Sequence, residues 1–234
     1  MGPAEIARII GLDRATVHRL LQTLLARDLV VQARGSGRYM LGPGLLRLSE
    51  AIPGSELRQM AAPYIRQLRD HSNETVALGV TLQNRCIQIL QEPSPQTIHW
   101  NAVTGESLPL YAGATGKAIL AFLNPAQQAA ALAEADRPAD RDQADRQEAQ
   151  RDIPLIRRRG YATATQETAV DVKGLAAPIF DRLGKPIAAI TIGWPASRYS
   201  QRALEASTPH LLEAANGLSS RLGYNVKRVV RRLR

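Results

Sequence analysis

The sequence has little of what metal binding and covalent catalysis draw on. Of its 234 residues one is cysteine and four are histidine. A single cysteine excludes an intrachain disulfide and a cysteine cluster for zinc. Cys86 stands in an apolar run with Ile87, Ile89 and Leu90 and reads as a buried thiol. His18, His71, His99 and His210 show no His-x-x-x-His or Glu-x-x-His spacing to put two ligands on one helix face, so no metal site and no cofactor are expected. Ser36 lies in Gly35-Ser36-Gly37, a hairpin tip without the Gly-x-Ser-x-Gly elbow of a nucleophile. With no paired carboxylates and no nucleophile-base pair either, an enzyme is not expected. Long apolar runs are lacking too: none approaches the roughly 18 residues that span a bilayer, and the N-terminus lacks the basic-then-apolar order of a signal peptide. A soluble cytoplasmic protein is expected.

What the chain does have is 44% hydrophobic residues, enough to bury a core, and a formal charge of +9 that is unevenly placed. Residues 1–50 carry +3, residues 226–234 carry +5 and everything between them only +1. A basic N-terminal unit joined to a nearly neutral body suits a nucleic-acid reader with a second, non-electrostatic task. By pattern, residues 1–42 read as helix, tight turn, helix and hairpin. Residues 43–71 read as a helical linker, interrupted at Pro53-Gly54 and bent at Pro63, and residues 72–234 as the body. In the body, strand-like runs over 75–82, 86–91, 97–102, 160–165, 172–180 and 186–194 alternate with helical patterns starting near Thr115, Pro125, Ala144 and Ser200. The fold class is therefore α+β, with a mostly antiparallel sheet. Residues 126–152, rich in Ala, Gln, Asp and Arg, read as surface helices around a loop at Pro138.

The stretch EIARIIGLDRATVHRLLQTLLARDL places Gly11 at a sharp turn and Asp13 as cap of a second helix, which is helix-turn-helix grammar. Val17, Leu20, Leu21 and Leu24 fall at i, i+3, i+4 and i+7 and are expected to pack on Ile6 and Ile9 of the first helix. Ala15, Arg19 and Gln22 then face outward, flanked by Thr16 and His18, with Arg14 at the helix start. Gln suits adenine, Arg guanine or phosphate, and Thr or Ala the thymine methyl. The following VVQARGSGRYML reads as a wing with Arg34 and Arg38 near its tip, placed for phosphates. Taken alone the helix is as readily a solvated face; the turn glycine, helix order and basic hairpin together favour DNA.

The motif Leu108 to Leu123 sets Gly113, Ala114, Thr115 and Gly116 at a helix start, where amides and the positive helix end can receive a carboxylate. Read alone, it is more readily a plain capped helix packed on a sheet. Lys117 does not make it a P-loop, because the four-residue spacing and the following Ser or Thr are missing.

The stretches EIARIIGLDRATVHRLLQTLLARDLVVQARGSGRYMLGPGLLRLS, LPLYAGATGKAILAFL and RRRGYATATQETAVDVKGLAAPIFDRLGKPIAAITIGWPASRYS resemble the IclR family of bacterial transcription regulators, and cover most of the chain. The resemblance implies a winged helix-turn-helix joined to a GAF-like effector domain. It also implies a homodimer or homotetramer, a double-stranded DNA operator of near two-fold symmetry and a small-molecule effector. Family members usually carry another helix before the segment that starts here at Gly2, so the chain is expected to start late relative to its family. The resemblance places Leu108, Leu110, Ala114, Thr115, Ala164, Glu167, Gly174 and Ile192 around the effector. Ala164 and Gly174 stand where some members have polar or bulkier residues, which leans the expectation towards an aromatic or larger organic acid. The alternative is a small-molecule sensor whose DNA module is vestigial and which acts through protein contacts. Trp100 and Trp194 are expected as packing at strand ends, and the basic tail 226–234 as a solvated terminus.

Overall fold

The computed structural model describes the chain apart from residues 34, 51–53, 135–138, 166–170 and 226–234, and gives the backbone alone at residues 50 and 139–142. Its contacts divide it into two units, Met1–Ser55 and Glu56–Arg234.

In the first unit α1 (Pro3–Ile10) ends on Gly11, whose φ of +68° lets the chain turn within three residues into α2 (Arg14–Leu25). Asp13 caps α2 by accepting from the amide of Thr16 at 2.9 Å and from its hydroxyl at 2.6 Å. Those bonds favour the carboxylate and hold Asp13 below its ordinary pKa. The hairpin of β1 (Val30–Gln32) and β2 (Tyr39–Leu41) follows, then α3 (Gly44–Glu50). The core is small: Ala7, Val17, Leu21 and Tyr39 are buried, with Ile6, Leu25 and Val30 against them. Leu20 of the expected stripe and Ile9, its expected partner on α1, lie outside it, being 47% and 62% exposed. The buried sector of α2 centres on Val17 and Leu21 and extends towards Leu25. At about 100° per residue that carries Leu20 to the rim. An α1 of eight residues reaches the sector only through Ile6 and Ala7.

The second unit is built on a six-stranded antiparallel sheet ordered β5-β4-β3-β8-β7-β6. Its strands are β3 (Thr75–Leu82), β4 (Arg85–Glu92), β5 (Ser107–Pro109), β6 (Ala162–Thr165), β7 (Val172–Phe180) and β8 (Pro186–Pro195). Helices α4 (Ser55–Ser72) and α8 (Gln201–Arg221) cover one face, and α5 (Gly113–Leu120), α6 (Pro125–Ala133) and α7 (Ala139–Arg159) contribute to the core of the other. Strand alternation sorts the residues. Leu78, Leu175, Ala177, Ile190 and Ile192 join the α4 and α8 core, while Ala176 and Ala189 join the α5 core. The connector expected over 43–71 does not stand apart. From Glu56 onward it belongs to the second unit, where Leu57, Ala61, Ile65 and Leu68 are buried and α4 runs through Pro63 as one helix. The strand expected over 97–102 is loop, and β5 is a short strand that the pattern did not mark.

All eight residues of α5 are buried. Gly113 enters the helix with φ of +73°, and Gly116 lets it rest on the chain that precedes it: a Cβ there would sit 2.6 Å from the carbonyl oxygen of Leu110. Backbone cannot yield as a side-chain tip can, so Gly116→Ala is expected to destabilise the second unit by about 1–3 kcal/mol. Urea unfolding followed by tryptophan fluorescence checks this, because Trp100 and Trp194 both lie in that unit.

Candidate functional site

Each unit presents one candidate site. On the first, Arg14, Ala15, His18, Arg19 and Gln22 are exposed on α2. Thr16 is half-buried and its hydroxyl is already given to Asp13, so it belongs to the cap more than to the outer face. Arg38 is exposed in the hairpin, 3.8 Å from the carboxylate of Glu5, an ion pair weak enough to exchange for a phosphate. Arg34 lies outside the described residues. Helix and hairpin thus hold an exposed set of Arg, His and Gln over a core that fixes their direction.

The second unit holds a cavity of about 320 Å³ between the first turn of α5 and the sheet, at the small end of ligand pockets. Its walls are Cys86 and Gln88 of β4, residues 99–101, Val103 and Glu106 of the segment before and into β5, Leu108 of β5, Ala112 to Gly116, Ala164 of β6, Val172 and Gly174 of β7, and Thr191 and Gly193 of β8. Of the sequence-derived effector residues, Leu108, Ala114, Thr115, Ala164 and Gly174 come together here. Leu110 and Ile192 do not. Leu110 is fully buried in the α5 core beneath Gly116, and Ile192 has the wrong parity on β8, pointing into the α4 and α8 core. Glu167 lies outside the described residues.

Sequence reading missed Cys86, Gln88, Val172, Thr191 and Gly193. The signal was there in β8: once Ile190 and Ile192 are assigned to one core, Thr191 and Gly193 must face the other side. Trp100 also lines the cavity, whereas Trp194 is packed in the α4 and α8 core. The indole of Trp100 lies directly over Gly193, where a Cβ would come within 2.0 Å of the ring. The loop carrying it is tied at several points. Ser94 donates to the carbonyl of Asn73 at 2.7 Å, the amide of Ala102 to Gln91 Oε1 at 3.0 Å, and Arg198 Nη1 to the carbonyl of Ile98 at 2.6 Å. Arg198 is itself fixed by two bonds of 2.6 and 2.7 Å to the buried carboxylate of Glu74.

Inside, the chemistry is mixed. Ala112, the N-cap of α5, carries only a methyl group and makes no side-chain capping bond. The positive end of the helix borders the cavity, beside the small residues Ala114, Ala164 and Gly174. The hydroxyls of Thr115 and Thr191 meet at 2.6 Å. Burial pushes the Cys86 thiol up to about 12, so at neutral pH it is an uncharged wall. Lys117 does not add its charge to the cavity; it is buried and reaches Asp152 at 3.1 Å and Glu148 at 3.3 Å on α7. His99, at the loop, is held through Nδ1 by the carbonyl of Gln96 at 2.8 Å. Among the described residues no cluster of three metal-ligating side chains occurs, and no helix is long and apolar enough to cross a membrane.

Comparison with known proteins agrees with both halves. Residues 1–34 match the family described as the IclR helix-turn-helix domain, and residues 49–220 the one described as the bacterial transcriptional regulator IclR C-terminal. The chain is 32% identical over 218 residues to the HTH-type transcriptional regulator BhcR of Paracoccus denitrificans, covering 92% of this chain and 78% of that one. It is 35% identical over 195 residues to the glycerol operon regulatory protein of Streptomyces coelicolor, covering 82% and 76%. Among solved structures it shares its fold with an IclR homolog from Microbacterium hydrocarbonoxydans complexed with 4-hydroxybenzoate. There the TM-score is 0.78 and the identity 23%, with 95% of this chain and 91% of that one covered. The relatives are transcription regulators and not enzymes, and with a helix-turn-helix unit and an effector-domain match spanning most of its length, this chain belongs to the IclR family of bacterial transcription regulators.

Proposed function

We propose that this regulator binds its operator as a homo-oligomer, and that a small organic acid, preferably aromatic, enters the cavity of the second unit and changes its affinity for DNA or its geometry on it. The observation that carries the reading is the start of α5, whose N-cap Ala112 makes no side-chain capping bond, set in the cavity beside the small residues Ala114, Ala164 and Gly174. A carboxylate is the group that such a helix end accepts, and small residues leave room for a ring. The fold neighbour complexed with 4-hydroxybenzoate supports the ligand class. Leu108 and Thr115 complete the contacts we assign to the ligand, with Glu167 the remaining candidate. On DNA, Arg19 and Gln22 read bases, Ala15 and His18 flank them, and Arg14, Arg34 and Arg38 meet phosphates. Thr16 contributes its methyl and orders the helix start.

Exposed apolar side chains in the first unit support association with a second copy: Leu41 is 80%, Leu46 69%, Ile9 62% and Leu48 55% exposed. Regulation follows as a population shift, the ligand binding one arrangement of the oligomer better than the other.

Fluorescence anisotropy with the intergenic DNA upstream of its own gene tests the DNA assignment. Arg19→Ala and Gln22→Ala are expected each to cost about 1–3 kcal/mol of sequence discrimination, and Arg38→Ala to lower the salt slope by about 1 without changing selectivity. Binding no tighter than the non-specific micromolar level would instead favour a sensor that acts through protein contacts.

Gly174→Val tests the cavity. Its Cβ would lie 3.1 Å from that of Ala114, so the added methyls project into the ligand space. Operator binding is expected to persist while organic acids no longer alter it; an undiminished response would remove the cavity from the mechanism.

A further inference from the structure

Trp100 is the largest side chain on the cavity wall. It stands in the loop between β4 and β5, is half-buried, and borders the cavity together with Gly193 of β8. The ring is pressed onto that glycine: a Cβ built on Gly193 would overlap Cε3 and Cδ2 of the indole. Any larger residue at 193 would push the ring away, so the glycine sets where the indole lies.

The fold holds the loop on both sides of the ring. At its start the amide of Ser94 donates to Thr75 Oγ1 at 3.1 Å and the hydroxyl to the carbonyl of Asn73 at 2.7 Å, which joins it to the turn from α4 into β3. The carbonyl of Ile98, two residues before the indole, accepts from Arg198, and the amide of Ala102, two residues after it, donates to Gln91. An aromatic wall fixed in this way needs little ordering when a ligand packs on it. The indole also has surface to offer. Trp194 meets Tyr199 edge to face, whereas among the described residues no ring and no cation packs on Trp100. Val103 and Val172 bring further apolar surface to the same cavity.

We infer that Trp100 is the specificity residue that selects a flat aromatic ring in the ligand, packing on it stacked or edge to face. The inference rests on the organic-acid reading and adds to it the residue that tells an aromatic acid from a saturated one of similar size. Burial against an apolar wall favours both kinds of ring. An aromatic pair adds a contribution beyond the area it buries, and only the aromatic acid supplies the second ring.

Isothermal titration of the full chain with benzoate and cyclohexanecarboxylate tests this, since the two acids share a carboxylate and a six-membered ring. Wild type is expected to bind benzoate about threefold or more tightly than cyclohexanecarboxylate. Trp100→Leu should remove that preference and Trp100→Phe should keep it. If Trp100 only held the loop in place, its replacement would weaken both acids by the same factor. Equal affinities in wild type, or a preference that survives in Trp100→Leu, would overturn the inference and leave the organic-acid reading standing. Should the leucine variant fail to fold, emission decides: Trp194→Phe leaves Trp100 as the sole tryptophan, whose fluorescence is expected to change more on saturation with benzoate than with cyclohexanecarboxylate. Emission that benzoate leaves unchanged would overturn the inference. Benzyl alcohol and cyclohexylmethanol repeat the pair without the charge. If these bind with the same Trp100-dependent preference and a carboxylate gains nothing, the role of Trp100 stands and the acid reading falls; if no member of either pair binds, both fall.

Discussion

The second unit depends on the seating of one short, wholly buried helix against a sheet face made of small residues. Helix α5 has no solvent side, so its position is set by how closely backbone can approach it. Gly116 lets it touch the carbonyl of Leu110, and Ala176 and Ala189 share its core on the sheet. The same face of the sheet, with Ala164 and Gly174 beside the helix start, has too little side-chain volume there to fill the space, and the cavity is what remains. Large side chains are spent on the opposite face, where Leu78, Leu175, Ile190 and Ile192 make the core with α4 and α8. One asymmetry of side-chain size thus supplies both the stability of the unit and the room for a ligand.

That asymmetry was only partly legible in the sequence. Runs such as Thr75–Leu82 and Val172–Phe180 stand in the structure with the bounds that β-branched composition and turn signals suggested, because local pattern decides them. Segment 97–102 carried the same signals and is loop, since its order comes from Gln91, Arg198 and Gly193, all distant in sequence. Periodicity grouped Leu20 with Val17 and Leu21 but could not say which edge of the stripe a short neighbouring helix would leave uncovered.

The candidate site divides in the same way. Residues named from contiguous motifs, Ala114 and Thr115 above all, line the cavity, and so do Leu108, Ala164 and Gly174. Leu110 and Ile192 fail on direction, the first beneath the helix and the second on the far face of β8. Gln88, on the cavity wall, had no motif to announce it. In the DNA-reading unit the exposed set followed from one helix and one cap, so helical geometry and Asp13 were sufficient to place Arg19 and Gln22 outward.

The two sites matter to each other only if their occupancies are linked, and thermodynamics requires such linkage to be reciprocal. The most direct measurement is therefore the affinity of the proposed organic acid for the regulator, determined by calorimetry with the protein free and again with it saturated by operator DNA. The regulatory mechanism predicts two affinities that differ by about fivefold or more, with the operator affinity changing by the same factor when the acid is saturating. Equal affinities in the two states would contradict it, leaving a DNA reader and a ligand cavity that share a chain without regulating one another.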